Sequence, residues 1–466
     1  MAQLHELSAG ELARQLRRGH VTPVEATTHF LERIAAHEEL GAFVEVTAER
    51  ALARARALGR PTNDSPRLWG VPLADKDLVA RAGVPTRYGS RAFADDVPTA
   101  SDPLADALDD LGTISLGKTN TPEFGMTGFT ESLVAPPARN PWNPQTGAGG
   151  SSGGAAVAVA TGMLPFAPGS DGGGSIRIPA STVGIVGLKP SRGRTAMGSG
   201  MESPGGLAVT GPLARTVEDA ALLLDALVAI RPYRFATKAP GGLPLVEAVR
   251  RDPGLLSIGV TTVTPWDDAV DTTLDPAAKA AYDEAVRLLD GAGHAVQDAA
   301  WHPTGYPELF RALWRISAAG LPITIEQLEQ VEPVTATLIR EGRALPAQQV
   351  LQTLSAQAAF ERTTISAFAP FDVVVTPALA QSPRPIGWYD RDDPELSFAQ
   401  QCSYAPHTSF VNVCGLPAIT VPLLPDGTGR PVSVQLIGRP GDEATILSVA
   451  AWFEHERGPL PLPPSV

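Results

Sequence analysis

Residues 147–162 read GAGGSSGGAAVAVATG, two serines held between glycine pairs and followed at once by a run of alanine and valine. The run is apolar around its whole circumference and made of small side chains, which predicts a helix buried among other elements at close approach. A Gly-Ser-Ser-Gly loop at the head of such a helix turns hydroxyls and backbone N–H groups inward. Idle polar groups are costly there unless they are hydrogen-bonded. A second loop of the same kind follows at 169–181, GSDGGGSIRIPAS, in which three glycines lead into Ser175. Consecutive glycines let backbone N–H groups converge on one point, as an oxyanion hole requires. The fold must therefore pack two serine loops into its interior.

Spacing tests the familiar readings of such glycines. G-x-x-x-x-G-K-[ST] is absent, and G-x-G-x-x-G fails because the third glycine would fall at Ser152 or at Arg177. A nucleotide cradle is therefore disfavoured. Gly149 to Gly153 matches G-x-S-x-G with Ser151 central, but the nucleophile elbow needs a β-branched strand before it. Here the preceding NPWNPQTGA reads as irregular chain. On this stretch alone, a glycine turn before a buried helix is an equal alternative.

Two serine loops need a base, and no histidine stands at a plausible triad spacing. Lys76, in the strand-like PLADKDLVA, is the lysine best placed by context, since period-2 alternation turns Asp75 and Asp77 to the opposite face. To accept a proton it must be neutral, so its pKa near ~10.4 has to fall about three units, roughly 4 kcal/mol, which burial can supply. A solvated D-K-D turn is the bland alternative. Ser115 and Lys118 form a rival S-x-x-K pair, but its companion S-D-N and K-T-G motifs are missing.

The rest of the chain alternates helix and strand signals. S-x-x-E at Ser8 and Glu11, and Thr22-Pro23 with Glu25, predict capped helices over roughly 8–19 and 23–38. GVPLADKDLV, LGTISLGKTN, LLSIGVTTV, HAVQDAA, FDVVVTPAL, PAITVPLL and PVSVQLIGR read as strands, and 306–370 as mostly helical. Such alternation argues for a layered α/β fold. With 466 residues and a net charge of −13, the chain has no electrostatic footprint for nucleic acid or an anionic membrane. It lacks a signal-type N-terminus and the ~18 unbroken apolar residues of a membrane span, so it reads as cytoplasmic. Cys402 and Cys414 are far from any CxxC spacing and read as core residues, and His5, His20, His29 and His37 as surface or packing residues. No metal and no cofactor are implied.

GGSSGGAAVAVATG, GSDGGGSIRIPASTVGIVGLKPSRGR and the Lys-Asp of ADKDLV closely resemble the amidase signature family of serine hydrolases, which use a Ser, cis-Ser, Lys triad. The serines lie 24 residues apart and Lys76 lies 75 before Ser151, as in that family. The likeness continues through LGKTNTPEFGMTGFT, GPLARTVEDAALLLDAL and FVNVCGLPAITVPL, and so covers most of the chain. The resemblance implies Ser175 as nucleophile and Ser151 as the bridging serine after a cis Gly150–Ser151 bond. It implies Lys76 as base, and backbone N–H groups of Gly172, Gly173, Gly174 and Ser175 as oxyanion hole. Ser152, Asp171 and Arg177 would brace the loops. It further implies a single domain over 1–466, with a large mixed twisted sheet flanked by helices on both sides. A signature core would span about 70–215 and a variable helical cover about 300–410.

The activity implied is hydrolysis of a carbon–nitrogen amide bond in a small organic carboxamide through an acyl-serine intermediate. A carbamate- or ester-cleaving relative and the glutaminase subunit of a tRNA-dependent amidotransferase are the alternatives. Ser170-Asp171-Gly172-Gly173-Gly174-Ser175 stands where members often carry Thr-Asp-Thr-Gly-Gly-Ser, which leans towards stand-alone amidases, including those acting on nylon-type cyclic amides. Substrate choice is expected from 195–210 and 300–410, where MGSGMESPGG, LFRALWRIS and GWYDRDD offer apolar and aromatic lining. The partner expected is a small amide, with no nucleic acid and no membrane; a homodimer is left open.

Overall fold

A computed structural model describes residues 3–195, 204–229 and 244–464. Most of MGSGMESPGG lies outside these described residues. The strands are β1 Phe43–Val46, β2 Pro72–Lys76, β3 Ile114–Thr119, β4 Arg139–Asn140, β5 Asn143–Gly147, β6 Phe166–Asp171, β7 Val186–Lys189, β8 Val209–Ala214, β9 Ser257–Val260, β10 Ala295–Asp298, β11 Val373–Pro377, β12 Ala418–Pro425 and β13 Pro431–Gly438. The helices of the first half are α1 Ala9–Arg18, α2 Pro23–Ala36, α3 Ala48–Ala57, α4 Pro103–Asp110, α5 Gly153–Ala160, α6 Arg177–Val183 and α7 Val217–Ala229. Those of the second half are α8 Leu245–Ala248, α9 Pro276–Gly291, α10 Tyr306–Ala319, α11 Pro333–Arg343, α12 Ala347–Phe368, α13 Pro394–Tyr404, α14 Ser409–Val413 and α15 Glu443–Arg457.

Eight strands form the expected mixed sheet, in the order β10-β9-β11-β13-β12-β7-β8-β6. The β10, β9 and β11 pairings are parallel and the remainder antiparallel. Alternation along β13 shows how helices cover both sides. Val434 and Leu436 join the core with Ile446 and Leu447 of α15, whereas Gln435, facing the other way, bonds Arg177 of α6.

Three details depart from the sequence reading. The strand carrying Lys76 belongs to a separate three-stranded sheet, β1-β3-β2, that lies against β6. NPWNPQTGA is not irregular: Asn143–Gly147 pairs with Arg139–Asn140 as a short hairpin. The Ser8 box is half made, because Ser8 Oγ accepts the Glu11 N–H while the Glu11 carboxylate turns to Arg14 and Gln15. Thr22 and Glu25 close theirs in both directions.

Helix α5 is buried at every residue, as its composition predicts. Gly154 explains the need for small residues, since a Cβ there would stand 2.3 Å from the Asn120 backbone nitrogen. Cys402 and Cys414 are buried and unpaired, and His5 stacks on His29, sharing a 3.0 Å hydrogen bond with it. Among the described residues no helix is long and apolar enough to cross a membrane.

Candidate active site

Strand β2 ends on Lys76, which is 2% exposed, and the neighbouring β6 ends on Ser170 and Asp171. The Lys76 ammonium donates to Ser151 Oγ at 2.7 Å and to Ser170 Oγ at 3.0 Å. Ser170 was not singled out from the sequence; its place beside Asp171 in the second glycine loop was the available signal. Both carboxylates flanking Lys76 are taken up elsewhere. Asp75 pairs with Arg81 at 2.7 Å and accepts from Ser115, while Asp77 pairs with Lys118 at 3.0 Å. The rival Ser115 and Lys118 thus serve two different carboxylates. Burial pulls the Lys76 pKa down to about 7, against the opposing pull of the Asp171 charge.

The Gly150–Ser151 peptide bond is cis, as the resemblance implies. A Cβ on Gly150 would stand 2.7 Å from the Phe129 carbonyl carbon, so only glycine fits this approach. The Ser152 N–H donates to the Ser175 carbonyl at 3.1 Å, fastening one serine loop to the other, and Ser152 Oγ donates to the Ser170 carbonyl at 3.3 Å. No hydrogen bond joins Ser151 Oγ to Ser175 Oγ in this structure.

The second loop is wound around Asp171. Its carboxylate accepts from the backbone N–H groups of Gly174 at 2.8 Å and Ile176 at 3.1 Å, and from Arg177 Nε and Nη2 at 3.0 and 2.9 Å. Arg177 continues to Gln435 at 2.7 Å and Asn412 at 2.6 Å, and Asn412 returns to the Asp171 carbonyl at 2.7 Å. Asp171 and Arg177 thus link the second loop to α14 and β13. Gly174 departs from its expected part, because its N–H is committed to Asp171. Its φ is +129°, and a Cβ there would stand 2.5 Å from Thr408 Oγ1, so glycine is required at this position. Asn412 and Gln435 escaped the sequence reading, although a lone amide inside an apolar run was their signal.

Burial by itself would raise the Asp171 pKa, but the Arg177 guanidinium overrides it and holds the carboxyl well below the usual range. The pair's contribution to stability is full above the unfolded-state pKa of about 4 and is lost as pH falls towards the depressed folded value. Asp171→Asn leaves a fully buried guanidinium without its counter-charge and is expected to cost about 3–5 kcal/mol in denaturant unfolding at neutral pH. A loss under about 1 kcal/mol would show that the network is not holding the loop.

Ser175 and Gly173 open onto a pocket walled by Met126, Trp266, Phe310, Trp314, Tyr389 and Phe398. Phe310 and Trp314 stack at 5.4 Å, and Trp314 Nε1 donates to the Met126 carbonyl at 3.1 Å. LFRALWRIS and GWYDRDD thus supply wall residues. Trp266 joins them from a segment not expected to, Phe398 comes from within 300–410 but outside those two motifs, and α12 supplies none of the lining. The charged residues on the lining are paired with one another: Arg311 with Glu395, and Arg315 with Glu341 at 2.7 Å.

The model of the Amidase family matches residues 25–447. A Mycobacterium bovis protein named as an amidase, AmiB2, is 37% identical over 460 residues, covering 96% of each chain. A 6-aminohexanoate cyclic dimer hydrolase, solved with its substrate, superposes with a TM-score of 0.88 over 100% of both chains at 27% identity. A bacterial aryl acylamidase of the amidase signature enzymes superposes with a TM-score of 0.82 over 97% of both, at 25% identity. With its mixed sheet, its paired serine loops and this match along nearly the whole chain, the protein belongs to the amidase family of enzymes, hydrolases of carbon–nitrogen amide bonds.

Proposed function

We propose that the reaction runs through Ser175 as nucleophile, Ser151 as proton relay and Lys76 as base, on small neutral amides with an apolar acyl group. The observation that carries this reading is the buried Lys76 amine, 2.7 Å from Ser151 Oγ and with both neighbouring carboxylates engaged elsewhere. Lys76 Nζ takes the Ser151 proton as Ser151 takes that of Ser175, and Ser175 Oγ attacks the amide carbon. The relay needs the two hydroxyls to close on each other when substrate fills the cavity. Since Gly174 N–H is held by Asp171, the N–H groups of Gly172, Gly173 and Ser175 are left to receive the developing oxyanion. Ser151 then returns its proton to the departing amine, the C–N bond breaks, and water hydrolyses the acyl-serine, releasing the acid. We read residues 1–466 as one domain in which α10, α11 and α13 cover the site.

The cavity wall supports the substrate class. A zwitterionic ligand such as glutamine needs charged partners, and among the described residues the charged lining groups are already paired. This weighs against the glutaminase reading; carbamates and esters share the acyl-enzyme chemistry and belong in the same test. The purified chain alone is expected to hydrolyse aryl and cyclic amides with kcat/KM at least about 100-fold above that for glutamine. Product mass across a panel of aryl amide, aliphatic amide, cyclic amide, aryl carbamate and glutamine checks it. Preference for glutamine would overturn the assignment.

A further inference from the structure

A second, smaller cavity lies away from the reacting groups, between the first turn of α9, α6 and β13. Its lining includes Ser181, Ala277, Ala278, Arg430 and Ser433. Ser181 and Ser433 are 2% and 4% exposed, and neither hydroxyl has a hydrogen-bond partner. Buried hydroxyls of that kind are uncommon without a guest. Ala277 and Ala278 stand in the first turn of a 16-residue helix, where N–H groups have no acceptor four residues back. The N-cap residue, Asp275, gives them no side-chain cap, since its carboxylate receives the Ser382 N–H at 2.6 Å instead. Arg430 adds a buried guanidinium, anchored by Asp426 at 3.0 Å with donors to spare.

We propose that this cavity is a site for one small inorganic anion of halide size. The space admits about one water-sized sphere, too little for an organic ligand. Water fits the donor set poorly. A halide can accept from both hydroxyls, the helix N–H groups and the guanidinium at once, whereas a water must also find acceptors for its two protons. A resident anion ties α6, the helix that follows Ser175, to β13 and α9. The site takes no part in bond cleavage.

The test replaces sodium gluconate by sodium chloride or bromide at constant ionic strength and follows thermal unfolding. At about tenfold saturation the melting temperature is expected to rise by about 2 °C. In Ser181→Ala/Ser433→Ala that rise disappears, while the melting temperature in gluconate stays at or above wild type because no protein bond is lost. Bromide-grown crystals should show an anomalous peak between Ser181 Oγ and Ser433 Oγ, which decides the matter alone if the double variant fails to fold. Equal melting in gluconate and chloride, the same rise in the variant, or no bromide peak would overturn the proposal and leave a water there.

Discussion

Ser175→Ala is expected to lower kcat/KM by about 10⁴-fold or more, with the fold intact. Ser175 is almost fully buried but lines the cavity, so the change removes one hydroxyl from the wall and leaves Asp171, Arg177 and the loop bonds in place. Intact protein mass after treatment with a fluorophosphonate separates the two serines. Wild type gains one adduct, Ser175→Ala gains none, and Ser151→Ala still gains it slowly, because the nucleophile remains but its relay is gone. An adduct on Ser151 in the wild-type chain would exchange the roles proposed for them.

Lys76→Met is expected to cost about 10³-fold or more in kcat/KM and to change the shape of the pH profile as well as its height. Only the neutral amine can accept a proton, so wild-type kcat/KM should rise about tenfold per pH unit below about 7 and level off above it. The sign follows from the role: a base works deprotonated, so activity is lost on the acid side. Methionine fills nearly the same space without a charge to bury, so the variant should be at least as stable as wild type. Its residual activity should lack the acid limb. A variant that kept the same limb would place the titrating group elsewhere, with Glu123, raised by burial to about 6, the first to examine.

Much of the candidate site is legible in the sequence, because its chemistry is concentrated in short, glycine-marked stretches. Glycine loops and a lysine in an apolar strand made Lys76, Ser151 and Ser175 candidates, and the family resemblance supplied the role proposed for each. Geometry supplied what periodicity cannot. The family resemblance implies Gly174 as one of four like N–H donors, and only the closing of the loop on Asp171 sets it apart. The separate β1-β3-β2 sheet was hidden because alternation reveals strands but not which edges meet. The cavity wall was the least legible part: Trp266 and Phe398 are aromatic residues of the kind that usually fill a core, and their neighbours in space come from distant segments.

Asn412 and Gln435 hold Arg177 across 235 and 258 residues of chain. During synthesis the two serine loops emerge from the ribosome long before the amides that anchor the second one. A nascent chain carrying every residue of the proposed triad therefore still has the Arg177 guanidinium without its last partners. The second serine loop thus gains its last anchor only once β13 has been made.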